Sequence, residues 1–556
     1  MRKLNFPQNF NTKLIGSAGE NIFVAASVVT AFVIRLIFLP RDAVVNPDGS
    51  YYTLLGERFM SGDFGGGISA YWSPLYSILT GIFITVFDDR ELGGRFVSLL
   101  AGTLLVIPAY LLIRDLYGNY QAYIGTFLMV LHPLLIKSSG VVMVESLYTF
   151  IFLTFVLFGW YALKSGKLAT FFITGLILGA SYLTKPEAIG FLFLMLLLLI
   201  CLAIFGSVLN IRQLLASYLM ILFGFALLFV PYVVFIQSKT GEWTISKKTA
   251  VNSPAFHFEG ELGHLSPDGR STMKDIIWGD DYRTSSNVPP QSVPAIAKPP
   301  EYSQPVLDMI TLSERALSLI KFQLKTYFPE LLPFPLILFA IIGFFDKPWS
   351  RERSANELYL FSIVACSVIG YALSVIETRY LFPLIPILIA WAANGIVEFS
   401  NWAIESSKPH FQTITKLKPQ HLQAVTLMIL VAVLSPRFVA TVKANGIEDV
   451  PFEEKEAGVW IKNRSNGSRP LVLSSNITVA FYAEAKHLYI PDADIPAIIN
   501  YAKMQKADYL VFNKRWEKDG PAFQNNEYSL ISEFRLVYHD AQEPIYEIRV
   551  FQRVDD

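Results

Sequence analysis

The sequence predicts a polytopic α-helical membrane protein that carries a small α/β domain after its last membrane segment. Hydrophobic residues make up 53% and charged residues only 17% of the 556 residues, and the mean hydropathy is +0.41. Apolar runs recur between residues 20 and 440, and a run of about 20 residues crosses a hydrocarbon core of roughly 30 Å. The formal net charge is zero, so nucleic acid is not an expected partner.

We expect about eleven transmembrane helices, because that many apolar segments are long enough to cross a bilayer. They cover residues 22–40, 92–113, 120–136, 147–163, 168–184, 188–206, 214–236, 327–345, 358–376, 380–399 and 422–442. A further apolar segment, Pro74 to Phe87, has only 14 residues. That length favours an interfacial or re-entrant helix over a full span.

The basic residues of the loops orient these helices, since short cytoplasmic loops carry an excess of Lys and Arg. With the N-terminus in the cytoplasm, every inner loop contains a basic residue, as Arg114, Lys167 and Arg353 illustrate. Counting the segment 74–87 as a span would place all these loops outside. We therefore predict a transmembrane domain over residues 1–443 and an extracytoplasmic domain over residues 444–556. The two large outer loops are residues 41–91 and 237–326.

Residues 444–556 alternate β-like runs with amphipathic helical patterns, which predicts a small α/β domain. The apolar runs are Leu471 to Leu473, Tyr509 to Phe512 and Ile545 to Ile548, and the clearest helical pattern is Pro496 to Lys506. Within the outer loop 237–326, the Pro- and Ser-rich stretch Ser285 to Pro305 predicts irregular structure.

Two acidic residues on the outer face are candidates for catalysis. Asp48 follows the first span in Asn46 to Tyr52, and it can be a helix N-cap, a general base, or both, because the two roles are compatible. Tyr51 and Tyr52 beside it are candidates for substrate binding. Glu145 lies where the chain re-enters the membrane, where ionisable side chains are costly and often functional, although a snorkelling carboxylate is the alternative.

Two short outer turns add basic residues to the same face. Lys185-Pro186-Glu187 lies between two spans and can be either a functional or an ordinary polar turn. In Glu377-Thr378-Arg379-Tyr380, the arginine suits a phosphate group, because its planar fork pairs with phosphate oxygens. Arg379 is therefore a candidate for binding a phosphate group, with Lys185 and Tyr380 as further candidates, and Glu187 and Glu377 are candidates for contact with substrate.

No metal or cofactor is assigned from the sequence, although a divalent cation is compatible with it. The segment His257 to His264 contains oxygen and nitrogen ligands at His257, Glu259, Glu261 and His264. Their spacing fits no standard zinc pattern, so a solvated loop is the favoured interpretation.

In the order of these features, the chain resembles the polytopic GT-C glycosyltransferases, in particular bacterial relatives of protein O-mannosyltransferases and of the lipid A aminoarabinose transferase. The resemblance rests on an ordered set of short motifs, which are Asn46 to Tyr52, Pro74 to Tyr76, Arg95-Phe96, Gly118, Glu145, Leu183 to Pro186, and Arg379-Tyr380 with its trailing prolines. Relatives usually place a basic residue or His before paired prolines in the short helix, where this chain has Trp72-Ser73-Pro74.

The resemblance implies a polyprenyl-phosphate sugar donor and an essential aspartate in the first outer loop, which is Asp48 here. Glu145 then matches the second acidic position, and Lys185 and Arg379 match basic positions near the donor phosphate. The departure at Trp72 puts a further donor contact in doubt.

The predicted function is inverting transfer of a hexosyl or pentosyl group to an acceptor hydroxyl on a glycan, lipid or protein, at the outer face of a prokaryotic inner membrane. The alternatives from other classes are a flippase or transporter of lipid-linked glycans and a non-catalytic subunit of a glycan assembly complex. A phospholipid-headgroup transferase is a further alternative within the enzyme class.

We predict that alkaline phosphatase fused after Asp556 is active, because the basic loops place residues 444–556 outside the cytoplasm. The control is a fusion after Lys167, in a predicted inner loop, which should be inactive. The reverse pattern of reporter activity would mean that the number of spans before Lys167 is off by one, and equal activities would mean that the number of spans between the two fusion points is wrong.

Overall fold

The computed structural model describes most of the chain as helices, with one small sheet near the C-terminus. The described residues are 16–39, 44–205, 211–241, 243–246, 309–346, 349–372, 377–407, 419–443, 451–491, 495–515, 534–540 and 547–554. The loop Ser285 to Pro305 and the possible metal ligands His257, Glu259, Glu261 and His264 lie outside these ranges.

The chain divides into two compact units, and each is built from segments that are distant in sequence. The first unit comprises Met1–Pro40, Arg95–Ile245 and Leu307–Asn445. The second unit comprises Arg41–Gly94, Ser246–Val306 and Gly446–Asp556. The predicted first outer loop and the predicted C-terminal domain therefore belong to one compact unit, and the proposed functional boundary at residue 443 stays a prediction.

The described helices before the C-terminal domain lie between residues 18 and 443, and residues 247–308 are outside the described ranges. In chain order they are α1 (Ala18–Ile37), α2 (Pro47–Met60), α3 (Phe64–Gly67), α4 (Pro74–Phe87), α5 (Arg90–Leu104), α6 (Val106–Tyr117), α7 (Asn119–Val130), α8 (Pro133–Ser139), α9 (Glu145–Ser165), α10 (Leu168–Tyr182), α11 (Gly190–Phe205), α12 (Ile211–Thr240), α13 (Met309–Phe322), α14 (Phe328–Leu331), α15 (Phe334–Phe345), α16 (Arg351–Tyr371), α17 (Ile385–Ser407) and α18 (Pro419–Lys443). Two 3₁₀ turns, Pro186–Ile189 and Thr378–Leu384, precede α11 and α17, and a π-helical turn, Gln323–Tyr327, precedes α14.

Seven helices of the described chain are long and apolar enough to cross a membrane, and up to nine if each bent pair forms one span. The apolar helix α10 is shorter, as is α4. The predicted class, a polytopic helical protein with a C-terminal sheet domain, is confirmed. The count of about eleven spans stays a prediction, since it also needs the short α10 and the more polar α16 to cross.

Both bent pairs have a local cause in the sequence. Helices α7 and α8 meet at 55°, and the helices on either side of Leu332 meet at 108°. Proline occupies the first turn of the second helix in each pair, at Pro133 and Pro335. Proline lacks the N–H needed to continue a preceding helix and disfavours helical geometry in the residue before it, so the breaks occur there.

In the second unit, α2 packs closely on α4 through two glycines. A Cβ atom added at Gly81 would lie 2.3 Å from the carbonyl oxygen of Gly56 and 2.8 Å from the Met60 side chain. One added at Gly56 would lie 2.4 Å from the carbonyl oxygen of Ser77. The close approach of the two helices therefore depends on the absence of side chains at both positions.

The C-terminal domain is a five-stranded mixed sheet with helices on both faces. Its elements are α19 (Phe452–Arg464), β1 (Leu471–Ser474), α20 (Ile477–Tyr482), β2 (Lys486–Tyr489), α21 (Ile495–Met504), β3 (Tyr509–Asn513), β4 (Phe534–Asp540) and β5 (Ile548–Arg553). The strand order is β2-β1-β3-β5-β4, with β1 parallel to β2 and β3, and β5 antiparallel to β3 and β4. One apolar cluster joins α21 to the sheet, and another joins α19 and α20 to its opposite face.

We predict that Gly81→Ala lowers the apparent unfolding temperature of the purified protein in detergent. The added methyl group must push α2 and α4 apart, and overpacking of this kind costs about 1–3 kcal/mol. The matched control is Gly370→Ala within α16, where an added Cβ meets nothing within 4 Å. That variant should unfold at or slightly above the wild-type temperature, and equal effects of both substitutions would contradict the proposed close packing of α2 and α4.

Candidate functional site

Asp48 lies in the first turn of α2, but it is not the residue that caps this helix. The N-cap is Asn46, whose side-chain oxygen accepts a hydrogen bond of 2.7 Å from the Gly49 N–H, and Pro47 is the first helical residue. The interpretation of Asp48 as an N-cap is therefore wrong. Its carboxylate still gains from the positive end of the helix dipole, an effect of about 0.3–1 kcal/mol.

Trp72 contacts Asp48 directly. The indole Nε1–H donates to Oδ1 of the half-buried Asp48 over 3.4 Å, and the Trp72 ring lies 4.5 Å from the ring of Tyr51. Sequence reasoning missed this contact. The sequence did show that Trp72 occupies the position before the short helix where relatives usually carry a basic residue or His. That difference could have indicated a special role for the side chain.

The two tyrosines after Asp48 are buried by contacts inside the second unit. The Tyr51 hydroxyl lies 2.5 Å from the hydroxyl of Tyr489. The Tyr52 ring packs edge-on against Tyr76 of α4, with the ring centroids 5.1 Å apart. Both residues are less than 5% exposed, at 4% and 3%. Their predicted contact with substrate stays a prediction, and the contacts described give both rings a role in positioning α2.

In the first unit, three charged side chains from separate loops meet. Glu145 is the first residue of α9. Lys185 directly precedes the 3₁₀ turn Pro186–Ile189. Arg379 lies in the 3₁₀ turn before α17. Each of the three residues therefore lies at a break between helices, and not in the middle of a continuous helix.

One carboxylate oxygen of Glu145 faces both cations of this cluster. The Lys185 ammonium lies 3.2 Å and the Arg379 Nε 3.9 Å from Glu145 Oε1. The side chains of Lys185 and Glu145 are only 4% and 5% exposed. The second oxygen, Oε2, is buried and has no hydrogen-bond partner among the residues that the structure describes. Burial of two charges is tolerated when they are paired, and removal of one partner is then strongly destabilising.

Arg379 also binds Glu377, and an aromatic ring covers Lys185. The Arg379 Nη2 donates a hydrogen bond of 3.1 Å to Oε1 of Glu377, and its Nε forms an ion pair with Oε2 at 2.7 Å. The Glu377 side chain is 52% exposed. The Lys185 ammonium lies 4.5 Å from the centre of the Tyr380 ring, within the range of a cation–π interaction.

The remaining predicted residues have simpler surroundings. Glu187 is exposed on the turn that carries Lys185, and it makes no ion pair within the described ranges. Those ranges contain no group of three or more His, Cys, Asp or Glu side chains placed to hold a metal ion. The structure therefore describes two groups of candidate residues, Asp48 with Trp72 and Tyr51 in the second unit, and Glu145 with Lys185, Arg379, Tyr380 and Glu377 in the first.

Comparison with known proteins finds one family model that matches part of the chain. Residues 72–236, which include Trp72, Glu145 and Lys185, match the family model described as dolichyl-phosphate-mannose-protein mannosyltransferase. No curated protein matches the sequence significantly.

Two solved structures are similar over nearly the whole chain. One is ArnT from Cupriavidus metallidurans bound to undecaprenyl phosphate, with a TM-score of 0.55, 14% identity, and coverage of 96% of this chain and 98% of that chain. The other is the archaeal oligosaccharyltransferase AglB from Archaeoglobus fulgidus, in complex with an inhibitory peptide and a dolichol-phosphate, with a TM-score of 0.54, 14% identity, and coverage of 89% and 70%. Both are GT-C glycosyltransferases. The predicted resemblance to this superfamily is confirmed, and the chain has its fold.

We predict that Glu145→Gln destabilises the protein, because it leaves the buried Lys185 ammonium without its carboxylate. Removal of one partner of a buried ion pair costs about 3–5 kcal/mol. The double variant Glu145→Gln/Lys185→Met, which removes both charges, should recover most of the lost thermal stability. The exposed Glu377→Gln is the control and should unfold near the wild-type temperature. A Glu145→Gln protein as stable as wild type would contradict the buried pairing of Glu145 with Lys185.

Proposed function

We propose that the protein is a glycosyltransferase that moves a sugar from a polyprenyl-phosphate donor to an acceptor hydroxyl, with inversion at the anomeric carbon. The observation that carries the proposal is the meeting of Lys185 and Arg379 on the buried carboxylate of Glu145. The GT-C fold and the mannosyltransferase match over residues 72–236 support it. Undecaprenyl phosphate and dolichol-phosphate are bound in the similar structures of ArnT and AglB.

Lys185 and Arg379 would bind the donor phosphate. The leaving group of the reaction is a phosphate that gains negative charge as the bond to the sugar breaks, so it needs fixed positive charge more than it needs a proton. Arg379 already holds an exposed carboxylate, Glu377, through a hydrogen bond from Nη2 and an ion pair at Nε. Because carboxylate and phosphate present similar pairs of oxygens to an arginine, donor phosphate can take the place of Glu377 there.

Glu145 would hold these two cations in place. One of its oxygens faces both Lys185 and Arg379, so this carboxylate is already engaged by two cations. These contacts favour a positioning role for Glu145 over a direct catalytic role.

Asp48 would be the general base. It removes the proton of the acceptor hydroxyl as that oxygen attacks the anomeric carbon. The bond from that carbon to the phosphate oxygen breaks, and its electron pair leaves with the polyprenyl phosphate. A single displacement inverts the anomeric centre, as in inverting sugar chemistry with an aspartate or glutamate base. The indole N–H of Trp72, 3.4 Å from Oδ1, would orient the carboxylate.

The location that fits this chemistry is the outer face of a prokaryotic inner membrane, as the basic loops predict. The donor keeps its polyprenyl chain in the bilayer, and the acceptor is a glycan, lipid or protein that carries a free hydroxyl group. The sugar is of the hexose or pentose class.

A flippase for lipid-linked glycans is the alternative from another class, and broken helices are typical of transporters. The two bends of the first unit are such breaks, but a proline in the following helix accounts for each. A direct test is to incubate purified protein with a panel of polyprenyl-phosphate sugars, together with glycan, lipid and peptide acceptors that carry free hydroxyl groups, and to follow both thermal stabilisation and release of polyprenyl phosphate. A ligand that binds only the folded state must raise the unfolding temperature, and a flippase or a non-catalytic subunit would release no polyprenyl phosphate.

We predict that Asp48→Asn lowers turnover about a hundredfold or more, within the usual range for removal of a general base. The folded state should survive because Asn46, and not Asp48, caps α2. The matched control is Asp63→Asn, which exchanges the exposed cap of α3 in the same region of the chain and should keep wild-type turnover. A stable Asp48→Asn protein that retains more than about a third of wild-type turnover would remove Asp48 from the mechanism.

In the same assay, Arg379→Ala should raise KM for the donor as well as lower kcat. Arg379 would hold the phosphate in both the ground state and the transition state, so its loss weakens both. An unchanged KM with unchanged turnover would remove Arg379 from donor binding.

A further inference from the structure

The helix that carries Asp48 is too short to hold its position alone. It has 14 residues, and isolated helices below about 12–15 residues are marginal in water. Its position therefore has to come from tertiary contacts. One set is the packing on α4 described above, and the other comes from the C-terminal domain.

The first residues of α2 are attached to that domain through Tyr482, the last residue of α20. The backbone N–H of Val45, just before the N-cap, donates to the Tyr482 hydroxyl over 2.9 Å. The same hydroxyl donates to Glu91 over 3.4 Å. The Lys455 ammonium, from α19, lies 3.8 Å from Glu91 and 5.1 Å from the centre of the Tyr482 ring. Glu91 and Lys455 thus hold the Tyr482 side chain in place, and its hydroxyl accepts the hydrogen bond from Val45 beside α2.

A second attachment joins the last residue of β2 to the residues around Asp48. The hydroxyls of Tyr489 and Tyr51 lie 2.5 Å apart, and the His487 ring packs against Tyr489 with centroids 4.6 Å apart. Tyr51 lies against Trp72, and Trp72 donates to the Asp48 carboxylate. A continuous set of contacts therefore runs from the edge strand of the sheet to the side chain proposed as base.

A third attachment holds the other end of α2. Glu57 pairs with Arg90 at 2.5 Å, and the Arg90 guanidinium donates to the carbonyl oxygen of Phe481 over 3.3 Å. Its carbon atom lies 5.9 Å from the centre of the Phe481 ring. Both ends of the helix are thus tied to the segment from α20 to β2.

We propose that the C-terminal α/β domain positions the general base, with Tyr489 and Tyr482 as positioning residues that hold Asp48 through α2 and Trp72. The inference rests on the proposed role of Asp48. Neither tyrosine needs to touch substrate. Their contribution is to fix the carboxylate where the acceptor proton is transferred, because a reacting group that is misplaced by 1 Å can lose about a hundredfold in rate.

The test compares Tyr489→Phe, Tyr51→Phe and the double variant, each of which removes only hydroxyl groups. We expect either single variant to lower kcat about tenfold, less than the roughly hundredfold cost of a full 1 Å displacement, with KM for the polyprenyl-phosphate sugar unchanged. The double variant should be no worse than either single one, because both remove the same contact. The matched control is Tyr538→Phe on β4, at the opposite edge of the same sheet, which should keep wild-type kcat.

Hydrogen exchange of the α2 backbone gives a measurement that does not depend on activity. Amides of residues 49–56 should exchange faster in Tyr489→Phe than in wild type or Tyr538→Phe, since α2 loses one attachment. Wild-type kcat in Tyr489→Phe would overturn the proposal, as would an equal loss of kcat in Tyr538→Phe.

Different results would contradict the role of Asp48 as base and the positioning role of the tyrosines. An active Asp48→Asn protein would overturn the role of Asp48 as base, and with it the positioning of a base by the tyrosines. An inactive Asp48→Asn protein beside a fully active Tyr489→Phe protein would leave the base in place and overturn only the positioning role. Loss of kcat with unchanged KM in Tyr489→Phe, together with faster exchange in α2, would support both.

Discussion

A charged side chain buried in an apolar helix bundle is costly unless it is paired or hydrogen-bonded, and this constraint organises the candidate site of the first unit. Lys185 and Glu145 are nearly inaccessible and lie 3.2 Å apart. The desolvation of either group alone would cost several kcal/mol. The start of α9 and the turn after α10 must therefore meet, and the turn that carries Arg379 approaches the same carboxylate oxygen. One carboxylate thus fixes two cations, and it leaves Arg379 in contact with an exposed acid that an anionic ligand can replace.

The second unit joins its distant segments through tyrosine hydroxyl groups as well as ion pairs. Its contacts join residues that are 437 and 438 positions apart, Val45 with Tyr482 and Tyr51 with Tyr489. Tyrosine suits this work because its ring packs in an apolar interior while its hydroxyl still finds a partner. A neutral hydrogen bond is also less affected by salt than an ion pair would be. The sheet domain and the first outer loop consequently form one compact unit, although most of the sequence separates them.

Local patterns in the sequence were sufficient for the elements and insufficient for their contacts. The short helix α4 begins and ends at the predicted residues, Pro74 and Phe87, because an apolar run with proline in its first turn defines it. Strands β1 and β3 cover the predicted runs at Leu471 and Tyr509 for similar reasons. The suggestion that Asp48 could cap α2 is wrong, because Asn46 and Asp48 are both good caps and only the backbone geometry distinguishes them. The contact of Tyr489 with Tyr51 had no local signal, since its partner lies 438 residues away, and that of Trp72 was indicated only by the departure from the usual pattern of relatives.

Because Asn46 caps α2, capping does not explain the presence of an acidic residue at position 48. Asn46 already accepts a hydrogen bond of 2.7 Å from the Gly49 N–H, so the start of α2 does not require a carboxylate at Asp48. The helix dipole accounts for about 0.3–1 kcal/mol in favour of an acid there, and asparagine or serine would serve the fold nearly as well. A half-buried carboxylate held by an indole N–H, on a helix attached at both ends to a separate sheet, is more elaborate than helix initiation needs. That excess of structure around a single carboxylate is the physical argument for its use in proton transfer.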